Sequence, residues 1–208
     1  ISACLVGSEM CIRDRICPAW RQRVVATESV MLDPRRNISQ QQQSLQVALQ
    51  RASQCTSICW LPGDEYEPIS RGHADAILAF ADPNTVLFNW TDDEHSVERQ
   101  VCERNLQAFT SWARRENRNY DIIKLPCSVV RDPYYCGSYV NFAHVNGAVI
   151  VPRHGRRSAK LDDRARSIIQ DVFGKPAISV PIEGIAAHGG GIHCCTQQQP
   201  MGGSLTRQ

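Results

Sequence analysis

A strand–helix–strand order, closed each time at a proline, runs three times along this chain, and no other feature limits its fold as much. In the first unit, residues 29–33 read as a strand. A helix over about 39–52 comes next, with Leu45, Val47, Ala48 and Leu49 among glutamines, and then a strand over 57–61 that meets Pro62 and Gly63. The second unit has a strand at 85–90 and a helix over 93–115 with Val97, Val101, Leu106, Phe109 and Trp112 at roughly helical spacing. Its closing strand, 120–126, ends at Pro126. The third has a strand at 147–152, a helix over 161–173 that sets Ala165, Ile168, Ile169 and Val172 on one face, and a strand at 177–181 ending at Pro181. Asp162 and Asp163 suit the start of that helix, where unpaired N–H groups and the backbone dipole favour carboxylates.

Ten or eleven residues beyond each proline comes a distinctive segment. These segments are Gly72-His73-Ala74-Asp75, Gly137-Ser138-Tyr139-Val140-Asn141 and Gly191-Ile192-His193-Cys194. The pattern is that of an α/β repeat protein. Units arranged about an axis would bring the equivalent segments together at its centre, although they lie far apart in sequence.

Cys194 is the strongest candidate for chemistry. It comes after Gly189, Gly190 and Gly191, which can take positive φ or let backbone approach a ligand, and whose N–H groups could stabilise a thiolate. Cys195 is expected to be a packing thiol, since neighbouring side chains in extended chain point to opposite faces. His73 and Asp75, two apart, would share a face in extended chain. Taken alone, that pair reads equally as polar residues on a solvated strand edge. Joined to Cys194, it completes the cysteine, imidazole and carboxylate needed to attack an electrophilic carbon and move protons afterwards.

Other chemistries fit less well. Lysine and arginine total 23 against 21 acids, a net of +2, so no strong field points toward nucleic acid or a membrane. No apolar run approaches the ~20 residues of a membrane span, and the opening residues lack a basic leader, which points to the cytoplasm. The ten cysteines are scattered without a Cys-x-x-Cys pair, and reduced thiols, mostly buried, are expected. His188, His193, Cys194 and Cys195 lie close together but lack the spacing of a zinc site. The glycine run lacks the Lys-Ser/Thr of a phosphate loop. Without a secretory leader, Asn37-Ile38-Ser39 and Asn89-Trp90-Thr91 read as chance glycosylation triplets. Residues 1–15 carry no periodicity that continues into residue 16 and beyond, resemble translated sequencing adapter and are set aside. Residues 16–201 are expected to form the domain, with 202–208 as a tail.

The run Gly-Gly-Gly-Ile-His-Cys-Cys-Thr-Gln-Gln-Gln-Pro over 189–200 resembles the nucleophile motif of the agmatine deiminases, relatives of bacterial peptidylarginine deiminases. Gly72-His73-Ala74-Asp75, Trp90-Thr91-Asp92-Asp93, Ser138-Tyr139-Val140-Asn141-Phe142, and Thr27-Glu28 with Arg36-Asn37 are similar to other segments of that family. The resemblance runs from about Ala26 to Pro200. It implies a pentein fold, an α/β propeller of five modules, of which about three are present. It further implies Cys194 as nucleophile, His73 as general acid/base and Asp75 as the carboxylate that holds a guanidinium. Agmatine would be the small-molecule substrate, with no metal or organic cofactor; a homo-oligomer is left open. The family's acidic Arg-Asp and Glu-Gly-Gly segments are absent from this chain. An open ring would therefore expose apolar faces, and the chain alone is expected to show little turnover. The family's aliphatic residue after the nucleophile is replaced by Cys195. A peptidylarginine deiminase, another guanidine-modifying pentein and a non-catalytic remnant acting as an interaction partner remain the alternatives.

Overall fold

The computed structural model describes residues 16–19, 23–37 and 41–196. The expectations for residues 1–15 and the 202–208 tail fall outside these, as do Gln197 to Pro200 of the nucleophile motif.

Three sheets of three strands succeed one another, each built in the same way. The first holds β1 (Ile16–Ala19), β2 (Arg23–Thr27) and β3 (Ser57–Leu61). The second holds β4 (Leu78–Phe80), β5 (Thr85–Trp90) and β6 (Asp121–Pro126), and the third β7 (Ala143–His144), β8 (Val149–Arg153) and β9 (Ala177–Pro181). In each, a short antiparallel strand leads into the central strand, and a helix crosses over to the last strand, which lies parallel to the centre. A parallel pair needs such a crossover, so the repeat read in the sequence is a repeat of topology. The helices fall at Gln42–Ser53 (α2), Val97–Arg115 (α4) and Ala159–Phe173 (α5). Short helices occur at Glu28–Met31 (α1), Ala74–Ile77 (α3) and Glu183–Ala186 (α6).

Two expectations are corrected. The first strand of the first unit is Arg23–Thr27, and residues 29–33, expected to be extended, lie in α1 (Glu28–Met31) and the turn that follows it. β2 pairs with β3 in the register Thr27 to Leu61, and the next residue on β3 is Pro62, which cannot donate a ladder hydrogen bond. Beyond Thr27 the ladder has run out, and the chain turns. Each unit also has an antiparallel strand in front of its strand–helix–strand order. β4 has three residues and β7 two, too few for an alternating pattern to register.

The core lies between units. Along β5 successive side chains point to opposite faces. Val86 and Phe88 join Val25, Leu61, Phe109 and Trp112 in one cluster, while Leu87 joins Leu125, Tyr139, Val149, Val151 and Ile169 in the next. Helix α4 fills the wedge between the first two sheets. Its N-cap is Ser96, whose Oγ accepts from Arg99 N–H at 3.1 Å. Asn105 of α4 is fully buried and ties the first two units: it accepts from Gly63 N–H and donates to Gly63 O, both at 2.9 Å. Beyond the third sheet, Ile178 and Val180 of β9 stay exposed, the kind of open apolar face expected of an incomplete ring. Among the described residues, no helix is long and apolar enough to cross a membrane.

Candidate active site

The three repeated segments meet, one from each unit. His73 is the N-cap of α3, so Asp75 sits in that helix's first turn. The expectation that the two side chains share a face of extended chain is corrected: the helix turns Asp75 inward, where it is 4% exposed. The His73 ring lies with Nε2 3.4 Å from Arg36 Nη1. Arginine has only hydrogens to offer, so Nε2 is the acceptor in that contact. Arg36 also donates to Ile69 O and Ser70 O, which ties it to the segment leading into His73.

Cys194 lies in a single 3-10 turn, His193–Cys195, and is half-buried. Its Sγ is 3.5 Å from Asp75 Oδ2, across 119 positions of sequence. Asn141, 0% exposed, holds the thiol from the other side. Its Nδ2–H donates to Cys194 Sγ at 3.3 Å, while its Oδ1 accepts from the N–H of His193 at 2.9 Å and of Cys194 at 3.4 Å. One amide thus fixes the sulfur and the backbone that carries it. His193, beside Cys194 in the chain, completes the cluster through Nδ1, 2.7 Å from Asp75 Oδ2. That leaves Asp75 Oδ1 buried with no hydrogen-bond partner among the described residues.

The glycines act by close approach and backbone shape. Gly189 has φ +77, and a Cβ on Gly191 would collide with the Asn141 side-chain amide. The expected thiolate support from glycine N–H groups is corrected for two of the three. Gly189 N–H donates to Ala186 O and Gly190 N–H to Ile185 O, closing the end of α6. The sulfur takes its side-chain donor from Asn141 instead. Cys195 is also corrected: it is exposed, because a 3-10 turn does not alternate faces as a strand does.

The sequence patterns contain Asn141 and His193 but assign neither a place in the site. Asn141 had one signal: it stands in the segment of the second unit equivalent to those of His73 and Cys194. His193 had only its adjacency to the thiol. His188, weighed as a ligand, points Nδ1 at Gly184 O at 3.0 Å. Among the described residues, no group of three or more metal-binding side chains is gathered. A cavity of about 590 Å³ is bordered by Ala76, Ser138 and Gly189, and its walls include neither Asp75 nor Cys194.

A buried network anchors the Asn141 segment. Tyr139 donates through its hydroxyl to Asp162 Oδ1 at 2.6 Å, and that oxygen also accepts from His154 N–H at 2.9 Å. Asp162, expected at a helix start, does lie in the first turn of α5, but it is buried and engaged here. His154 is 3% exposed, and burial pushes its imidazole down from 6.5 to about 4, against the opposing pull of Asp162 and Glu183. Between those values the unfolded chain binds a proton that the folded chain refuses. Stability from this group is therefore intact above pH 6.5 and falls as the pH drops toward 4, by about 3 kcal/mol in all. Urea midpoints between pH 7.5 and 4.5 should fall more steeply for the wild type than for His154→Gln. Parallel slopes would remove His154 as the cause.

A family model described as Porphyromonas-type peptidyl-arginine deiminase matches residues 21–200. The agmatine deiminase of Pseudomonas aeruginosa (strain LESB58) is 32% identical, over 85% of this chain and 53% of its own. That of Stutzerimonas stutzeri (strain A1501) is 31% identical with the same coverage. Among solved structures, the agmatine deiminase of Enterococcus faecalis superimposes with a TM-score of 0.81 at 24% identity, covering 90% of this chain and 56% of that one. The chain therefore spans about half the length of the relatives it matches.

Proposed function

Because this chain belongs to the Porphyromonas-type peptidyl-arginine deiminase family and is a pentein fragment, we propose that it carries the nucleophile-bearing half of an agmatine deiminase. Agmatine and water would become N-carbamoylputrescine and ammonia, a step toward putrescine and the polyamines. The observation that carries this reading is the Asp75 carboxylate. One oxygen is held by His193, the other is buried and unpaired among the described residues, and the Cys194 sulfur lies 3.5 Å from the former. A buried acceptor without a donor is costly, and a planar cation rich in N–H groups is the ligand that relieves it.

In this scheme a guanidinium N–H fills Asp75 Oδ1 and brings the guanidinium carbon onto Cys194. The thiolate, steadied by the Asn141 N–H, adds to that carbon. His73 gives a proton to the departing nitrogen, and ammonia leaves a cysteine thiouronium. His73 then takes a proton from water as it attacks the same carbon, and the C–S bond breaks to release the ureido product. The scheme calls for no metal or organic cofactor. The remaining contacts to the guanidinium would come from the half of the relatives that this chain does not span. No two of the cysteines whose side chains are described are joined in a disulfide, which suits a reducing compartment, and the proposal includes a cytoplasmic location.

A second substrate class, peptidyl-arginine, is favoured by the description of the family model. Both substrates present the same guanidinium to Asp75, so the residues here do not separate them. Ammonia release by the full-length gene product does. Agmatine should be turned over and an arginine-containing peptide should not; the reverse outcome would replace the leading reading with the second.

A further inference from the structure

The seven cysteines whose side chains are described fall into two groups by environment. Cys55, Cys59 and Cys102 are buried. Burial raises the thiols of Cys59, Cys102, Cys127 and Cys136, to about 12 for Cys102 and Cys136, which leaves them little thiolate to react. Cys194 and Cys195 differ: they are adjacent, one half-buried with an N–H donor on its sulfur, the other exposed. The turn carrying them is closed by Cys195 N–H to Ile192 O at 3.2 Å and Thr196 N–H to His193 O at 3.1 Å, and Asn141 Oδ1 accepts from its His193 and Cys194 N–H groups.

We propose that Cys195 is a resolving thiol for Cys194, so that a hydroperoxide converts the pair into a reversible vicinal disulfide. The inference rests on the reading of Cys194 as a reactive nucleophile. In the first step the Cys194 thiolate attacks the peroxide O–O bond. A sulfenic acid forms on Cys194, and hydroxide, or alkoxide from an organic peroxide, departs. In the second step the Cys195 sulfur attacks the Cys194 sulfur. The S–S bond forms, the S–O bond breaks, and the departing hydroxide takes the Cys195 proton to leave as water. Two thiols are oxidised and one peroxide is reduced.

Adjacency governs both speed and reversibility. The partner thiol is one peptide unit away, so it can intercept the sulfenic acid before a second peroxide drives it to the irreversible sulfinic acid. Neighbouring Cα atoms are about 3.8 Å apart across a trans peptide, closer than the ~4.4 Å lower end usual for disulfides. The bond is therefore strained and readily reduced. Closing it requires the exposed Cys195 side chain to swing toward Cys194 and the turn to change shape, which loosens its own bonds and the Asn141 hold on the Cys194 N–H and sulfur. An aliphatic residue at this position would leave the nucleophile without such a partner.

The test uses the 208-residue chain and mass spectrometry, so it does not depend on turnover. The tryptic segment 167–207 contains Cys194 and Cys195 and no other cysteine. After hydrogen peroxide and an alkylating quench, the wild-type segment should have lost two hydrogens, refuse the alkylating agent, and recover both thiols with dithiothreitol. In Cys195→Ser, sulfinic acid on Cys194 should accumulate roughly tenfold more at the same dose. Fragmentation separates that oxygen from any on Met201, in the same segment. Equal sulfinic acid in both proteins, or no disulfide in the wild type, would overturn the proposal. Limiting iodoacetamide on the reduced chain then separates the failures. If Cys194 outpaces the buried thiols, only the resolving role falls; if it does not, its reading as a reactive nucleophile falls too.

Discussion

Cys194→Ser is expected to lower ammonia release from agmatine by the full-length gene product by roughly 10⁴-fold or more, the scale seen when a covalent nucleophile is removed. A serine hydroxyl carries almost no alkoxide near neutral pH. The Asn141 amide, 3.3 Å from the cysteine sulfur, is a neutral donor and would do little to create one. The substitution is nearly isosteric at a half-buried position, so stability should change by less than about 1 kcal/mol. A variant that folds normally and keeps a tenth of the wild-type rate would mean that the covalent route is wrong.

The second large effect belongs to Asp75→Asn. The amide conserves volume but removes the charge, and it can turn a donor toward the guanidinium in place of a waiting acceptor. Hydrogen bonds to charged groups contribute about 1.5–3 kcal/mol, and a cation left unpaired costs more. The expected fall in kcat/KM is about 10³-fold, or about 4 kcal/mol. Stability separates this role from a structural one. The carboxylate is 4% exposed, with one oxygen unpaired among the described residues, so the fold gains little from its charge. The thermal midpoint should stay within a few degrees of wild type. If Asp75→Asn instead unfolds the chain, the carboxylate is a structural anchor for His193, and the proposed hold on substrate fails.

How far the site could be read in advance depends on how local its parts are. Helix α4 was visible from its apolar spacing, but its start moved from 93 to Val97, because the cap is the Ser96 hydroxyl and spacing carries no signal for a cap. The triple glycine was visible, and two of its uses were foreseen in kind: a positive φ at Gly189 and a close approach at Gly191. The object of that approach was not. Asn141 lies 53 positions from Cys194, and no periodicity relates a residue in one unit's loop to a residue in the next. Asp75 was placed in extended chain because α3 has only four residues, less than the span over which a helical period can be told from alternation.

By itself, the sequence determined the three αβ units, their proline-terminated strands and the presence of a cysteine, a histidine and a carboxylate in equivalent loops. These are properties of apolar spacing and backbone chemistry, which act over a few residues. Only the tertiary structure decided which groups meet. Packing the units core to core puts His193 against Asp75 across 118 positions and turns one carboxylate oxygen inward, where it has no partner among the described residues. It also leaves Cys195 in solvent beside the thiol that Asn141 holds. Those outcomes depend on how whole units stack, and a local pattern holds no record of that.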